Sequence, residues 1–446
     1  MDKANNRNSA FRKFSEQFLV KGGMDIPFFL LLMAILAIGL VMLLSASYFS
    51  AFYYENDSFY YFTKQLVFTV IGLAGMLLIS KFDYKIFRLA SIIGMAVSVL
   101  FLAFVLIKPS GSGDEIKRWI IINLGFFEFS FQPSELAKFA MILFLAHMLD
   151  RDNKKLTDPR PSDNALSKFI SNISGGKLYI AKSTVTLFIY FLIVVGMSAL
   201  VLLESHLSGT ILMAAIGVMM LWFGEGRARW FAVGSVVAVI VIIYVIKNYD
   251  QVELLREYMA DRIIAWLDKS YSPEKYRWQT NQSLYAIGSG GFFGAGLGNS
   301  KEKYLYVSEP QNDFIFAIVC EELGFVGAAF ILLLYAALVL RGVYIAMRAK
   351  DRFGTLICLG VVTQLALQVI LNVGVVSDLL PNTGIGLPFF SAGGTSMIIL
   401  LAEMGTVLSV SRKANLPKVY SFNIKLPKKK TKSKHKKAAA EKSAAE

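Results

Sequence analysis

Blocks of about 17 to 30 apolar residues recur along this chain, the length an α-helix needs to cross roughly 30 Å of hydrocarbon. They lie near 26–49, 64–80, 87–107, 134–149, 184–203, 208–224, 230–247, 313–340, 354–376 and 394–411. The pattern predicts an all-α integral membrane fold of about ten transmembrane helices. Of the 446 residues 17% are charged, whereas soluble domains carry roughly a quarter. The first block is too long for a cleavable signal peptide and lacks a small-residue cleavage site.

Orientation follows the placement of lysine and arginine. Lys3, Arg7, Arg12, Lys13 and Lys21 precede the first span, and Lys81, Lys85 and Arg88 fill the second connection. Seven basic residues from Arg151 to Lys182 fill the fourth, Arg227 and Arg229 the sixth, and Arg341, Arg348, Lys350 and Arg352 the eighth. With ten spans all of these share a side with the basic tail, so both termini are expected in the cytoplasm. The implied plan is a cytoplasmic segment at 1–25, a membrane domain at 26–411 and a basic disordered tail at 412–446. From Arg412 to Glu446 there are twelve Lys or Arg residues and two Glu, so the tail supplies +10 of the formal +14. Such a tail beside a membrane meets anionic lipid or stays solvated. No nucleic-acid-binding fold signal accompanies it, so no nucleic-acid partner is expected. Cys320 and Cys358 both fall inside apolar blocks and read as small core residues.

Three long connections then face outward: 108–133, 248–312 and 377–393. The large one, between spans seven and eight, contains a helix-like stretch from Leu254 to Asp268. Leu254, Leu255, Met259, Ile263, Trp266 and Leu267 form its apolar face, as in a helix lying in the interface. Glycines at 288, 290, 291, 294, 296 and 298 resemble a phosphate loop, but no Gly-Lys-Ser/Thr follows them. They fit tight turns and close approach to a ligand or a helix. No strong internal repeat marks an inverted-repeat transporter.

Asp313, at the mouth of the eighth span, has two readings. In the first helical turn it complements the macrodipole, with Asn312 as cap. Alternatively it is a surface carboxylate that accepts a proton from a sugar hydroxyl. Glu321 and Glu322 lie about two turns deeper, and Glu403 sits in the last span. Acids in lipid need a partner or a water-filled cavity; Glu322 and Glu403 read as structural, and Glu321 stays open. The stretch Phe131 to Lys138 (FQPSELAK) opens the fourth span, where Glu135 and Lys138 pair at i, i+3, or Lys138 meets an anionic headgroup. Lys117, Arg118 and Trp119 just before it suit phosphate and the interface. Between Leu379 and Ser396 two prolines and four glycines exclude ordinary helix, so this backbone either lines a cavity or forms a packing turn. Gly393 and Gly394, leading into Thr395 and Ser396, resemble an anion nest at a helix start.

In order along residues 25 to 412, the segment LVMLLSAS, Arg118-Trp119, FQPSELAK, the glycine loop running into EPQNDFIFAIVCEELG, and NVGVVSDLLPNTGIGLPFFSAGGTS resemble the SEDS family. That family comprises shape, elongation, division and sporulation proteins of the FtsW, RodA and SpoVE types. The resemblance implies a multi-pass protein of the bacterial cytoplasmic membrane, of the division or sporulation type. It implies peptidoglycan glycosyltransferase activity on lipid II beside a class B penicillin-binding transpeptidase and other division or elongation machinery. It places the essential acid on Asp313 and the Arg-Trp pair on Arg118 and Trp119. The Gln-Pro-Ser-Glu run falls on Gln132 to Glu135, and an interfacial-loop arginine is similar in setting to Arg262. LESHLSGT, with Glu204 and His206, stands where many members carry Pro-Asp before Gly-Thr, and Ala392 replaces a tyrosine in SAGGTS. A polyprenyl-pyrophosphate leaving group calls for positive charge, for which Arg118, Lys138, Arg262 and Lys303 are candidates, with a divalent cation such as magnesium or manganese. Rival readings are a lipid II flippase, which would need acids in mid-membrane such as Glu321, and a scaffold that only recruits a transpeptidase.

Overall fold

The computed structural model describes residues 19–107, 119–123, 128–162, 164, 167–168, 172, 181–204, 206–225, 260–271, 274–275 and 277–415. The helices are α1 (Ile26–Glu55), α2 (Tyr60–Lys81), α3 (Phe87–Ile107), α4 (Pro133–Arg151), α5 (Lys182–Leu203), α6 (Leu207–Glu225), α7 (Ala260–Leu267) and α8 (Trp278–Gly290). They are followed by α9 (Ile315–Met347), α10 (Arg352–Val376) and α11 (Gly394–Ala414). Eight of them are long and apolar enough to cross a membrane. α4 falls short of that standard because Glu135, Lys138, Asp150 and Arg151 are spread over its 19 residues. The span expected at 230–247 and the tail beyond Asn415 lie outside the described residues.

Helix ends follow local chemistry. Asp25 caps α1, its carboxylate accepting from the Phe28 N–H, with Pro27 in the first turn. α1 runs six residues past the expected 49, through an aromatic segment suited to the interface, and stops at Asn56 with φ 56°. α9 likewise continues past its apolar stretch to Met347, because helix need not end where hydrocarbon does. α10 and α11 form the centre, with 61% and 78% of their spanning windows buried. α3, at 22%, is peripheral and turns Leu89, Ile93, Leu100 and Ile107 outward, as a lipid-facing helix must.

α9 is broken at Gly324, whose φ of 65° and ψ of −170° no helix contains. Two helical pieces meet there, and the glycine loop after α8 fills the break. Ala295 and Gly296 donate to the carbonyls of Glu321 and Glu322 at 2.9 and 3.0 Å. Phe325 and Val326 donate to Gly291 and Phe292 at 3.0 and 3.1 Å. The contact is backbone on backbone: a Cβ on Gly294 would lie 2.2 Å from the Glu322 carbonyl oxygen. The close approach expected of these glycines is therefore made to a helix. Glu322 binds Ser45 of α1 and Lys303, whose Nζ is 3.0 Å away, while Glu321 accepts from Ser300 and the Lys301 N–H.

Several expectations need correction. The all-α plan holds, and a short two-stranded antiparallel hairpin, β1 (Ile120–Asn123) with β2 (Glu128–Phe131), is added to it, pairing Ile120 with Phe131 and Asn123 with Glu128. α8 was hidden because WQTNQSLYAIGSG has no apolar period. α9 begins at Ile315 with Phe314 as its cap residue, so Asp313 precedes the helix and Asn312 does not cap it. In the interfacial stretch, residues 254–259 lie outside the described residues. Ile263 is buried there as expected, but Leu267 is 51% exposed.

Candidate active site

A cavity of about 520 Å³ opens where α4, α6, α9 and α11 begin. Four helix N-termini thus converge, each carrying roughly half a positive elementary charge on its unpaired N–H groups. The floor and one wall are the irregular backbone from Gly384 to Gly393. This segment is tied down at several points. Asn372 of α10 donates through Nδ2 to the carbonyls of Asp313 and Ile385, at 2.8 and 2.7 Å. Gln368, one turn away, donates to Gly386, and Ser208 of α6 donates to Thr383 and Gly384. Ser391 donates to the Asn312 carbonyl at 2.7 Å, and the Ala392 N–H to Gln311 at 2.8 Å. The turn bearing Asp313 and the loop facing it therefore form one hydrogen-bonded body.

Asp313 is half-buried and lines the cavity. Gly384 faces it with φ +68°, and a Cβ there would approach Asp313 Oδ2 to 3.0 Å. Across the cavity Lys138 and Glu135 are both buried, with Nζ and Oε1 2.8 Å apart. Oε2 of Glu135 is buried without a hydrogen-bond partner in the structure. Trp119, Ile121 and Ser130 bring the hairpin to the rim, anchored where the Thr395 hydroxyl donates to the Ser130 carbonyl. At the start of α11, Gly393 gives no side-chain cap; its N–H donates to Gln65, and Ser396 turns back to its carbonyl. The N–H groups of the first turn beyond it are of the kind that bind anions.

The structure thus brings together Asp313, Trp119, Glu135, Lys138 and Ser396 from four separate stretches of sequence. Arg118 lies outside the described residues. Arg262 does not line the cavity. Its Nη1 donates to the Asn382 carbonyl at 3.3 Å, two residues from Gly384, so it braces the wall. Lys303 is apart as well, buried against Glu322 and the Gly298 carbonyl, where its charge is already matched. Glu403 receives Gln364 Nε2 on both oxygens at 3.0 Å, in keeping with a structural part.

The sequence marked His206 only as a departure from the family pattern, and it left one further group unnoticed. His206 lines the cavity and shares its Nδ1 with Gln132 and Ser134, at 3.1 and 3.4 Å. Gln364, Gln368 and Asn372 recur every four residues in an otherwise apolar span, a one-faced amide stripe that pointed to buried polar work. Among the described residues no three His, Cys, Asp or Glu side chains gather to hold a metal ion.

Residues 26–416 match the cell cycle protein family named for FtsW, RodA and SpoVE. The chain is 36% identical over 389 residues to stage V sporulation protein E of Bacillus subtilis (strain 168), covering 87% of this chain and 97% of that protein. It is 33% identical over 391 residues to a probable peptidoglycan glycosyltransferase FtsW of Trichlorobacter lovleyi, covering 87% and 93%. Among solved structures it resembles a chain of a peptidoglycan synthase complex, with TM-score 0.66 and 22% identity over 89% of this chain and 99% of that one. The rod shape determining protein RodA of Thermus thermophilus gives TM-score 0.57 and 24% identity with the same coverage.

Proposed function

The chain belongs to the FtsW, RodA and SpoVE family of cell cycle proteins, and from that premise we propose that its cavity polymerises lipid II into peptidoglycan glycan strands. It is a multi-pass protein of the bacterial cytoplasmic membrane. The observation that carries the reading is the meeting of Asp313 with a buried lysine at a site ringed by four helix N-termini. A carboxylate base faces helix N-termini whose N–H groups favour negative charge, with Lys138 beside them sharing its charge with Glu135. Transfer from a pyrophosphate donor requires such a surrounding.

In this mechanism Asp313 takes the proton of the acceptor's GlcNAc 4-hydroxyl. The freed oxygen attacks the donor's anomeric carbon, and the bond from that carbon to the polyprenyl pyrophosphate breaks. The pyrophosphate leaves with the bonding electrons, so no nucleotide is consumed. Lys138 and the first turn of α11 at Ser396 stabilise its charge, and Arg118 is assigned to the same anion. A divalent cation, magnesium or manganese, would be carried by the substrate's pyrophosphate oxygens and would supply charge neutralisation to the leaving group. Trp119 meets the sugar or lipid at the rim. The partner is a class B penicillin-binding transpeptidase, in keeping with the synthase complex that the fold resembles.

Purified Asp313→Ala protein, given lipid II and a transpeptidase partner, should form no glycan while melting like the parent. Polymer made at the parental rate would remove Asp313 from the chemistry.

A further inference from the structure

At the opposite end of the bundle a second pocket, of about 260 Å³, lies among α1, α9 and α11. Asp25 and Ile26 at the head of α1, Arg341 and Tyr344 on the last turns of α9, Arg348 capping its end, and Ser411 of α11 shape it. Spacings of three and four put the two arginines and the tyrosine in one column on α9. Both guanidiniums pack on the Tyr344 ring, each 4.4 Å from its centroid. Such contacts fix direction without cancelling charge.

The two arginines differ in what they have left to give. Arg341 is forked onto Asp25, Nε to Oδ1 at 2.9 Å and Nη2 to Oδ2 at 2.8 Å. Asp25 is further committed, because Oδ1 caps α1 and its own N–H donates to Ser411. Arg348 is exposed and has no carboxylate at ion-pair distance among the described residues. The pocket therefore keeps one net positive charge, on a side chain already oriented by the ring. Ile26 and Leu30, one turn apart on α1 and each 59% exposed, lead from the pocket along the membrane-facing surface.

We propose that this pocket binds the headgroup of an anionic glycerophospholipid of the inner leaflet. The phosphodiester lies against Arg348 and the outer edge of Arg341, and an acyl chain follows Ile26 and Leu30. The apolar track selects a lipid over free phosphate, which offers the same oxygens without a tail. The site sits on the lysine- and arginine-rich side, where anionic lipid is concentrated. Occupancy joins the inner ends of α9 and α11, and the turn leading into α9 and the outer end of α11 line the large cavity.

The test uses the full-length protein in detergent micelles, titrated with dioleoylphosphatidylglycerol, dioleoylphosphatidylcholine or inorganic phosphate, with bound lipid counted by native mass spectrometry and stability read by melting. Phosphatidylglycerol should be retained and raise the melting temperature, and the other two should not. Arg348→Gln should weaken its retention about fivefold, and Lys350→Gln, two residues away, much less. Arg348→Gln should melt like the parent when phosphatidylcholine alone is present, which separates lost binding from lost folding. Equal retention of both lipids, an equal shift with inorganic phosphate, or parental retention by Arg348→Gln would overturn the proposal.

Discussion

At Gly384 the backbone enters the left-handed region while passing within a methyl's reach of the Asp313 carboxylate. An alanine there meets two obstacles, a strain of roughly 1–2 kcal/mol from its φ and a contact that displaces the carboxylate. Gly384→Ala should lower kcat about tenfold or more with a modest loss of melting temperature, since a small misplacement of a reacting group costs that much. A parental kcat would show that the approach is unimportant. That Asp313 stands at an outward-facing helix start was legible, and its place on the cavity agrees with either a structural or a chemical reading. What surrounds it was not legible, because Asn372 and Gly384, which hold and face it, lie 59 and 71 positions further along the chain. Lys303 misled for the opposite reason: its charge is obvious in the sequence, and the Glu322 that neutralises it is visible only in the fold.

Among the elements, periodicity and length carried the reading well wherever lipid imposes a simple demand, and α1, α3, α5 and α10 stand close to where the apolar blocks put them. It failed at α8 and the hairpin, which are held by neighbouring backbone instead of an apolar face of their own. The joint between α4 and α5 illustrates what hydropathy omits. Asp152, just past α4, receives the Tyr190 hydroxyl of α5 and pairs with Arg151 and Lys155. Burial works against its charge, but the Tyr190 hydroxyl, Arg151 and Lys155 outweigh it and hold the carboxyl at about 2. Because the folded value lies below the unfolded one, the joint contributes fully above about pH 4 and its contribution is lost as pH falls toward the folded value. Asp152→Asn should therefore lose on the order of 1 kcal/mol at neutral pH, after allowance for solvent screening, and converge with the parent in acid. Melting curves at the two pH values would show a constant gap if the charge of Asp152 did not stabilise the joint.

At the scale of the whole molecule, the described outward segments after α7 are tied to the cavity wall. Arg277 and Asp378 are both buried, 2.7 Å apart, and Arg277 also donates to the Ala265 carbonyl while Trp266 of α7 donates to the Asp378 carbonyl. This cluster locks α7 and the head of α8 to the segment that becomes the cavity wall. Asp378→Asn leaves a buried guanidinium without its counter-charge, and breaking such pairs costs about 3–5 kcal/mol. Hydrogen exchange should rise at residues 377–393 and glycan synthesis should fall. Replacing both partners, Arg277→Met with Asp378→Leu, should recover much of the stability. Unchanged exchange in the single variant would show that the wall stands without this tie. The fracture at Gly324 gives this arrangement a mechanical reading. The short upper piece of α9 is borne by the glycine loop as much as by the rod below it. Substitutions that displace the glycine loop after α8 would therefore shift the ground on which Asp313 stands, although none of its glycines lines the cavity.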